Sequence, residues 1–420
     1  MTKTDERGAL ERGAEFELHI ERMGHGGVGI GTAPDGRVCF VAGGFPGDEL
    51  RVSARKVKKS FIEADLLEVI SAGDLRVPSQ CAAAEAGAGC CDFAELDPAA
   101  ELDIKAEVLR DQLRRIAKLE SIPEIAQREL PPHRGWRTRV RLGVDAEGRA
   151  GTRKRQSHDV VTQMACSQLV PGLVDGLVGP GARRFSPGAE VIAVLDSDGN
   201  RHVVESRKAP RGRRTENVKE VIEAPTPKVV QRADGHEFSF PPLAFWQAHS
   251  AAPEAYTDIA RSWLAGTAEG DGVAWDLYGG VGLFVPVLAE ATTGHTAVHS
   301  VDFSPAASAS QPGLEGIDVT FHSAKVEDVA STLPAPAAVI LDPPRTGAGA
   351  EVIKAIAQAQ PARVMHVGCD PATFARDVYY WREWGYGLDK LVVVNAFPGT
   401  HHFETLALLV PDSHSTHSSC

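Results

Sequence analysis

The last third of the chain alternates short apolar runs with longer spacers, most of them helical in character. The apolar runs lie at residues 273–277, 299–302, 338–342, 364–368, 391–394 and 405–410. Strands joined by helices pair in parallel, and such doubly wound sheets carry their functional groups at the carboxyl ends of the strands. The sequence therefore predicts an α/β domain over residues 241–412, with active groups along one rim of its sheet.

A glycine-rich turn, DLYGGVG at residues 276–282, follows the first of these strands. Glycines such as Gly280 let the backbone approach a ligand closely, and Asp302 ends the next strand, where an acid can bind ribose hydroxyls. The turn lacks the complete G-x-G-x-x-G pattern of dinucleotide sites. We therefore expect S-adenosylmethionine here rather than a dinucleotide.

Two more strand ends carry reactive groups. Asp342 is followed by two prolines and Arg345, and the rigid turn should hold Asp342 and Arg345 in fixed directions beside the cofactor. Cys369 lies between a strand and a helix that starts with Asp370, where exposed helix N–H groups favour a thiolate. The alternative for Cys369 is packing, because most free cysteines are small buried hydrophobes. The neighbouring polar strand ends favour a nucleophile.

A thiolate near a methyl donor suggests methylation of a pyrimidine at C5. That carbon is a poor nucleophile until a thiolate adds at C6, and a base must afterwards remove the C5 proton so that the thiol can leave. Glu404 directly precedes the last strand and is the candidate base, with His401 and His402 as rivals. The competing enzyme class, exocyclic-amine methyltransferases, would have an aromatic residue in place of Arg345.

The first 240 residues are rich in short strands. Alternating runs and glycine-rich turns over residues 10–71 predict a small β-barrel. Residues 73–240 predict a second β-rich domain, interrupted by an amphipathic helix at 97–119. With 420 residues, the chain is long enough for these three domains.

Four cysteines in the central region form a separate candidate site. Cys81, Cys90 and Cys91 lie close together, and Cys166 follows later in the chain. Four thiols in a reducing compartment suggest an iron–sulfur cluster of the [4Fe–4S] type. The alternative is two or three packing cysteines that are adjacent by chance.

The distribution of charged and apolar residues indicates which partners the protein binds and where in the cell it acts. The net charge of −12 argues against a general nucleic-acid coat protein, but basic residues cluster at 51–59, 134–155 and 207–214. Local basic faces on an acidic chain suit an enzyme that binds a polyanion at one surface. No run approaches ~18 apolar residues, and the polar N-terminus lacks a signal-peptide core. We expect a cytoplasmic monomer without a membrane partner.

Several motifs together resemble one family. GHGGVGI and DGRVCFVAGGFPGDELRV are similar to the TRAM module, an OB-like RNA-binding barrel. With DLYGGVGLF, LDPPRTGAG, HVGCDPATFARD and FPGTHHFETLALL, they make the chain resemble bacterial RNA 5-methyluridine methyltransferases that use S-adenosylmethionine. The resemblance implies a Rossmann-like methyltransferase domain, a uridine substrate in transfer or ribosomal RNA, and a helix at 97–119 that packs back on that domain. It further implies roles for these residues: Cys369 as nucleophile, Glu404 as proton acceptor, and Gln247, Tyr278, Asp302 and Asp342 as cofactor contacts.

The chain departs from the family pattern at two places. Many members carry C-x5-C-G-G-C before the helix, whereas here Ala88 stands where one ligand would fall, and Cys90 either replaces it or the cluster is lost. Lys325 lies where an acid is often found near the adenine. Lys325 is also consistent with an alternative in which the protein is not an enzyme but an RNA-binding or folding factor with a decayed cofactor site.

Overall fold

The computed structural model describes residues 10–211, 214–304 and 311–412. The N-terminal sheet has the order β1-β5-β6-β4-β3-β2. Its strands are β1 (Glu15–His19), β2 (Arg22–Gly24), β3 (Val28–Thr32), β4 (Val38–Ala42), β5 (Glu49–Val57) and β6 (Phe61–Ser71). Alternate side chains such as Phe16 and Leu18 point into one shared core, as the period of two in a strand requires. At Gly31, a Cβ would lie 2.0 Å from the carbonyl oxygen of His19, so only glycine allows β3 to approach this close.

Part of the first basic cluster is neutralised across the strands of this sheet. Arg51 lies 2.9 Å from Glu68, and Lys56 lies 2.7 Å from Glu63. The acids are on β6, and the antiparallel register with β5 brings them opposite the basic residues. This part of the sheet surface therefore carries less positive charge than the cluster at residues 51–59 suggests when the sequence is considered alone. In the third basic cluster, Arg213 lies outside the described residues.

The central region contains a second sheet of order β10-β9-β8-β11-β12-β13. Its elements in chain order are α1 (Ala82–Glu85), α2 (Pro98–Arg115), β7 (Ile125–Arg128), β8 (Arg139–Val144), β9 (Ala150–Arg153), β10 (Val160–Val161), β11 (Glu190–Leu195), β12 (Arg201–Arg211), β13 (Arg214–Glu223), β14 (Val229–Ala233) and β15 (His236–Phe240). The β14–β15 hairpin packs into the core of the C-terminal sheet rather than that of the central one. Strand β7 joins the far edge of the C-terminal sheet.

Helix α2 ends at Arg115, four residues before the predicted end. Asp97 caps its start by accepting a hydrogen bond from the N–H of Ala99 (3.0 Å). Lys118 adopts a positive φ of 55°, which a right-handed helix cannot continue through. The apolar face of α2, including Leu109, packs against the helix that follows Cys369.

The C-terminal sheet has the order β18-β17-β16-β19-β20-β22-β21-β7. Its elements are α3 (Ala252–Leu264), β16 (Gly272–Leu277), α4 (Val285–Ala289), β17 (Thr296–Asp302), β18 (Val319–Ser323), α5 (Val326–Val329), β19 (Ala338–Leu341), α6 (Gly349–Gln358), β20 (Arg363–Gly368), α7 (Pro371–Glu383), β21 (Tyr386–Val394) and β22 (Glu404–Pro411). Strands β16 to β20 are parallel, and β22 runs antiparallel to both of its neighbours. The predicted doubly wound α/β fold is confirmed.

The order of the strands predicts where a ligand crevice lies in this sheet. It changes direction between β16 and β19, where such sheets bind ligands beyond their carboxyl ends. Because β22 is antiparallel to β20, the first residues of β22 lie opposite the last residues of β20, with Thr405 paired to Gly368. Within the described part of the chain, no helix is long and apolar enough to cross a membrane.

Candidate active site

A cleft of about 950 Å³ opens at the carboxyl ends of the parallel strands. The sequence-predicted residues that line it are Gln247, Tyr278, Gly280, Asp302, Asp342, Arg345, Cys369 and Glu404. They come from six separate segments of the chain, which the sheet brings to one rim. The cleft also contains Lys325, at the end formed by β17 and β18.

The glycine turn forms one wall of the cleft. The N–H of Gly280 donates to the carboxylate of Asp302 at 3.0 Å, which fixes this acid at the end of β17. Tyr278 leaves the strand with φ of 61°, an unusual conformation for a residue with a side chain. Beneath the turn, Ser300 donates to Asp276 at 2.9 Å, and a Cβ at Gly279 would lie 2.1 Å from that carboxylate. The turn therefore packs closely on the buried Asp276 carboxylate.

Asp342 lines the cleft beside the glycine turn. Its backbone N–H donates to the carbonyl oxygen of Leu277 at 3.2 Å, and its side chain accepts from the Gln247 amide at 3.4 Å. Burial raises the pKa of Asp342 to about 7, an effect that the Gln247 hydrogen bond opposes and the charge of Asp302 strengthens. A cationic ligand would reverse much of this shift.

Cys369 and Glu404 face the same cleft from β20 and β22. Burial, with the charges of Glu404 and Asp342 adding to it and that of Arg345 opposing it, raises the pKa of the Cys369 thiol to about 12. Burial also raises the pKa of Glu404 well above its usual range, with Asp342 adding to the effect and Arg345 opposing it. The ionised forms of Cys369, Glu404 and Asp342 would repel one another. A bound sulfonium cation would therefore favour ionisation of the Cys369 thiol and of the Glu404 carboxyl.

The N–H groups at the start of α7 were expected to lower the pKa of the Cys369 thiol, but they are bonded to another side chain. The N–H groups of Ala372 and Thr373 both donate to the carboxylate of Asp370, at 3.0 Å each. Asp370 therefore caps the helix, and its carboxylate takes up two of the N–H groups that were expected to favour the thiolate. The pKa of Cys369 is consequently set by burial and by the neighbouring carboxyls, in the direction opposite to the one predicted from sequence.

Glu404 and the two histidines differ in their hydrogen bonds, since each histidine has a ring nitrogen that is already bonded. The Oε2 of Glu404 is buried and has no hydrogen-bond partner among the described residues. Burial, with His401 and Arg345 adding to it, lowers the pKa of His402 to about 3, which makes this imidazole a weak base. His401 is bonded through Nδ1 to Asp92.

Two phenylalanines and two arginines outside the motifs quoted above also line the cleft. Phe245 and Phe303 are 67% and 70% exposed there, which is unusual for such large apolar side chains. Arg137 and Arg139 reach the cleft from the start of the central sheet. The position of Phe303, directly after the strand-end acid, is a usable signal; the two arginines are hidden within a longer basic run.

The four cysteines of the central region come together. Their sulfur atoms all lie within 4.8 Å of one another, with Cys91 and Cys166 at 3.4 Å and Cys81 at 3.9 Å from both Cys90 and Cys166. Cys90 therefore supplies the fourth sulfur, which the family pattern would place at the position of Ala88. Four converging thiols are a donor set for a metal ion or an iron–sulfur cluster.

Arg137 connects this group with the cleft. Its Nε is buried and lacks a hydrogen-bond partner in the described chain. Burial lowers the pKa of Arg137, while the thiolate charges of Cys166, Cys91 and Cys90 oppose that shift. A buried cation thus faces the cysteine group on one side and the cleft on the other.

Comparisons with known proteins agree with these observations. Residues 9–67 match the TRAM domain family. An uncharacterized RNA methyltransferase from Corynebacterium glutamicum is 54% identical over 98% of this chain and 99% of its own length. A 23S rRNA (uracil(1939)-C(5))-methyltransferase from Halomonas elongata is 30% identical over 97% of this chain and 92% of its own.

The fold has a solved counterpart. The tRNA (uracil-54, C5)-methyltransferase of Pyrococcus abyssi, crystallised with S-adenosyl-L-homocysteine, superimposes with a TM-score of 0.68. The two share 20% identity, and the match covers 94% of this chain and all of the other. Sequence similarity over nearly the whole length and the shared domain content agree. The chain belongs to the family of TRAM-containing, S-adenosylmethionine-dependent RNA 5-methyluridine methyltransferases.

Proposed function

We propose that the protein methylates C5 of a uridine in transfer or ribosomal RNA. The observation that carries this proposal is the shared rim of Cys369 and Glu404, which face one cleft together with the glycine turn and Asp302. A thiol and a separate base are what C5 methylation requires, whereas methylation of an exocyclic amine needs neither a thiol nucleophile nor removal of a carbon-bound proton.

The residues have distinct roles in this proposal. S-adenosylmethionine, when bound, supplies an electrophilic methyl group. Cys369 releases its proton to solvent and forms a sulfur–carbon bond to C6 of the uracil as the C5=C6 double bond opens to an enolate. C5 of this enolate takes the methyl group, and S-adenosylhomocysteine is left. Glu404 then takes the proton from C5, and the bond between Cys369 and C6 breaks as the aromatic ring re-forms. Arg345 provides positive charge beside both acids throughout.

The remaining regions are proposed to hold the RNA. We assign residues 10–71 to the TRAM barrel, 73–240 to the central domain and 241–412 to the methyltransferase domain. The target uridine must leave its stack to reach Cys369, since a paired base is inaccessible to a side chain within a cleft. Basic residues outside the cleft would then contact phosphates.

Nucleoside analysis tests the function directly. Purified protein is incubated with S-adenosylmethionine and with transfer RNA or ribosomal RNA from a strain that lacks the gene, and the digested RNA is analysed by mass spectrometry. We expect 5-methyluridine to form in one of the two RNA classes. An N-methylated adenosine or guanosine would indicate the exocyclic-amine class instead, and no product in either RNA would contradict the proposal.

Replacing Asp302 with alanine should weaken binding of S-adenosylmethionine by about 10- to 100-fold, because a charged acceptor for a ribose hydroxyl is lost. Calorimetric titration measures this. Asp318→Ala is the matched control, since Asp318 is an exposed acid bonded to His295 at the opposite rim of the sheet. Unchanged affinity in the Asp302 variant would contradict the proposed cofactor position.

We propose that the four cysteines bind a [4Fe–4S] cluster. The donor set fits, because four sulfurs converge at a site that is closed to solvent apart from Cys90. The short sulfur–sulfur distances also suit a single tetrahedral ion, in which all four thiolates share one metal. Metal content therefore decides the nature of the group.

Anaerobically purified protein is expected to be brown and to contain about four irons and four sulfides per chain. Cys166→Ser should lose the iron and the visible absorbance. Cys39→Ala is the control, since it removes a buried cysteine of the N-terminal core and should keep both. One zinc per chain, with no sulfide, would contradict the cluster and support a single-ion site.

A further inference from the structure

The side chain of Arg345 is held by His402. Its Nη2 lies 2.7 Å from Nδ1 of His402 and 3.4 Å from Nε2. Arginine has only donors, so Nδ1 of His402 must accept, and its proton must reside on Nε2. Only a neutral imidazole offers this acceptor, and the low pKa of His402 keeps it neutral across the physiological range.

The position of this guanidinium is important for the cleft. Arg345 lowers the pKa of Cys369 and of Glu404, against burial and against the charge of Asp342. Its backbone is fixed, because its carbonyl oxygen accepts from the Thr373 hydroxyl at 3.0 Å. The long side chain beyond the backbone would otherwise be free to turn towards solvent, since arginine has high rotamer entropy.

His402 is itself held in place by its neighbours. Its ring centroid lies 3.9 Å from that of His401, and it meets Phe397 edge-on at 6.1 Å. Its backbone N–H donates to the Thr400 hydroxyl at 3.2 Å. The imidazole therefore has a defined orientation before any ligand binds.

His401 is bonded to a distant part of the chain. Nδ1 of His401 pairs with the Asp92 carboxylate, which also accepts from the backbone N–H of His401 at 3.4 Å. Beside this pair, the N–H of Phe93 donates to the carbonyl oxygen of Gly399 at 3.1 Å. The packing is close, since a Cβ at Gly27 of the N-terminal sheet would lie 2.7 Å from both Asp92 and His401. Asp92 directly follows Cys91, so the cysteine loop braces the loop that carries both histidines.

We propose that His402, held by the Asp92–His401 pair, is a positioning residue that keeps the Arg345 guanidinium beside Cys369. The inference rests on the proposed function insofar as Cys369 is the nucleophile. It gives the two histidines a role other than proton transfer. It also provides a physical connection from the cysteine group to the catalytic cleft, through Asp92.

The test measures the reactivity of the Cys369 thiol and needs neither RNA nor the methyl donor. Holoprotein is treated with iodoacetamide at fixed pH below the thiol pKa, and alkylation of the Cys369 peptide is timed by mass spectrometry. In this regime the rate is proportional to the thiolate fraction. We expect Arg345→Met to lower the rate by about tenfold, the effect of one pKa unit, and His402→Leu to lower it similarly. The double variant should be no slower than Arg345→Met alone, because both changes remove one interaction.

Control variants separate positioning from general damage. His402→Asn keeps an acceptor oxygen and should retain a rate near that of the wild type, while Asp92→Ala should lower the rate in the same direction as His402→Leu. His295→Leu, at the opposite rim of the sheet, should change nothing. A wild-type rate in His402→Leu, or additive losses in the double variant, would overturn the proposal, and an unchanged rate in Asp92→Ala would overturn the part given to Asp92. Because the assay needs no methylation, these outcomes are independent of the RNA product.

Discussion

Replacing Cys369 with alanine is expected to abolish methylation while leaving S-adenosylmethionine binding intact. Without the sulfur–C6 bond, C5 of uracil is not nucleophilic, so the loss should be on the order of 10⁴-fold or more, as for removal of other covalent nucleophiles. The measurement is transfer of a labelled methyl group to RNA, with calorimetry for the cofactor. The thiol is half-buried at the rim, so its truncation should disturb the fold little.

Cys369→Ser is the matched control, because it keeps the volume and a weaker nucleophile. It should be as inactive as the alanine variant, since a serine hydroxyl is far less ionised than a thiol. If Cys369→Ala instead retained full turnover, the cysteine would be a packing residue and the exocyclic-amine chemistry would be favoured. Loss of cofactor binding in either variant would point to a damaged cleft rather than a missing nucleophile.

The sequence carries enough information to place most of the cleft, and the reason is geometric. Parallel strands end at one rim, so the residues after β16, β17, β19 and β20 had to converge. Asp302, Asp342 and Cys369 could be placed in this way from their positions alone. Glu404 precedes its strand rather than following it, so it reaches the same rim because β22 runs antiparallel to β20, a direction that the apolar pattern of the strand does not reveal.

What the sequence did not reveal depends on contacts between distant segments. Asp92 and His401 are 309 residues apart, and neither lies in a pattern that names the other as its partner. The expectation of a thiolate at Cys369 fails for a local reason, because the Asp370 carboxylate accepts from the N–H groups of Ala372 and Thr373. Likewise, four residues of β7 show no periodicity that would assign them to the edge of the C-terminal sheet rather than to the central one.

Replacing Glu404 with glutamine should trap the reaction after methyl transfer. Cys369 can still add to C6 and C5 can still be methylated, but without a base the C5 proton stays and the sulfur cannot leave. Turnover should fall by about 10²- to 10⁴-fold, and a covalent protein–RNA complex should accumulate on denaturing gels. The mass of the Cys369 peptide should then include a methylated uridine.

The pH dependence gives a second signature of the same group. Burial raises the pKa of Glu404, so its ionised, basic form is favoured as the pH rises, and wild-type release of product should accelerate with increasing pH. The residual rate of Glu404→Gln should lack this dependence, because glutamine does not titrate. The double variant Cys369→Ala/Glu404→Gln is the control and should form no covalent complex. Normal turnover in Glu404→Gln would assign proton removal to another group, with His401 the first to examine because the acceptor nitrogen of His402 is occupied by Arg345.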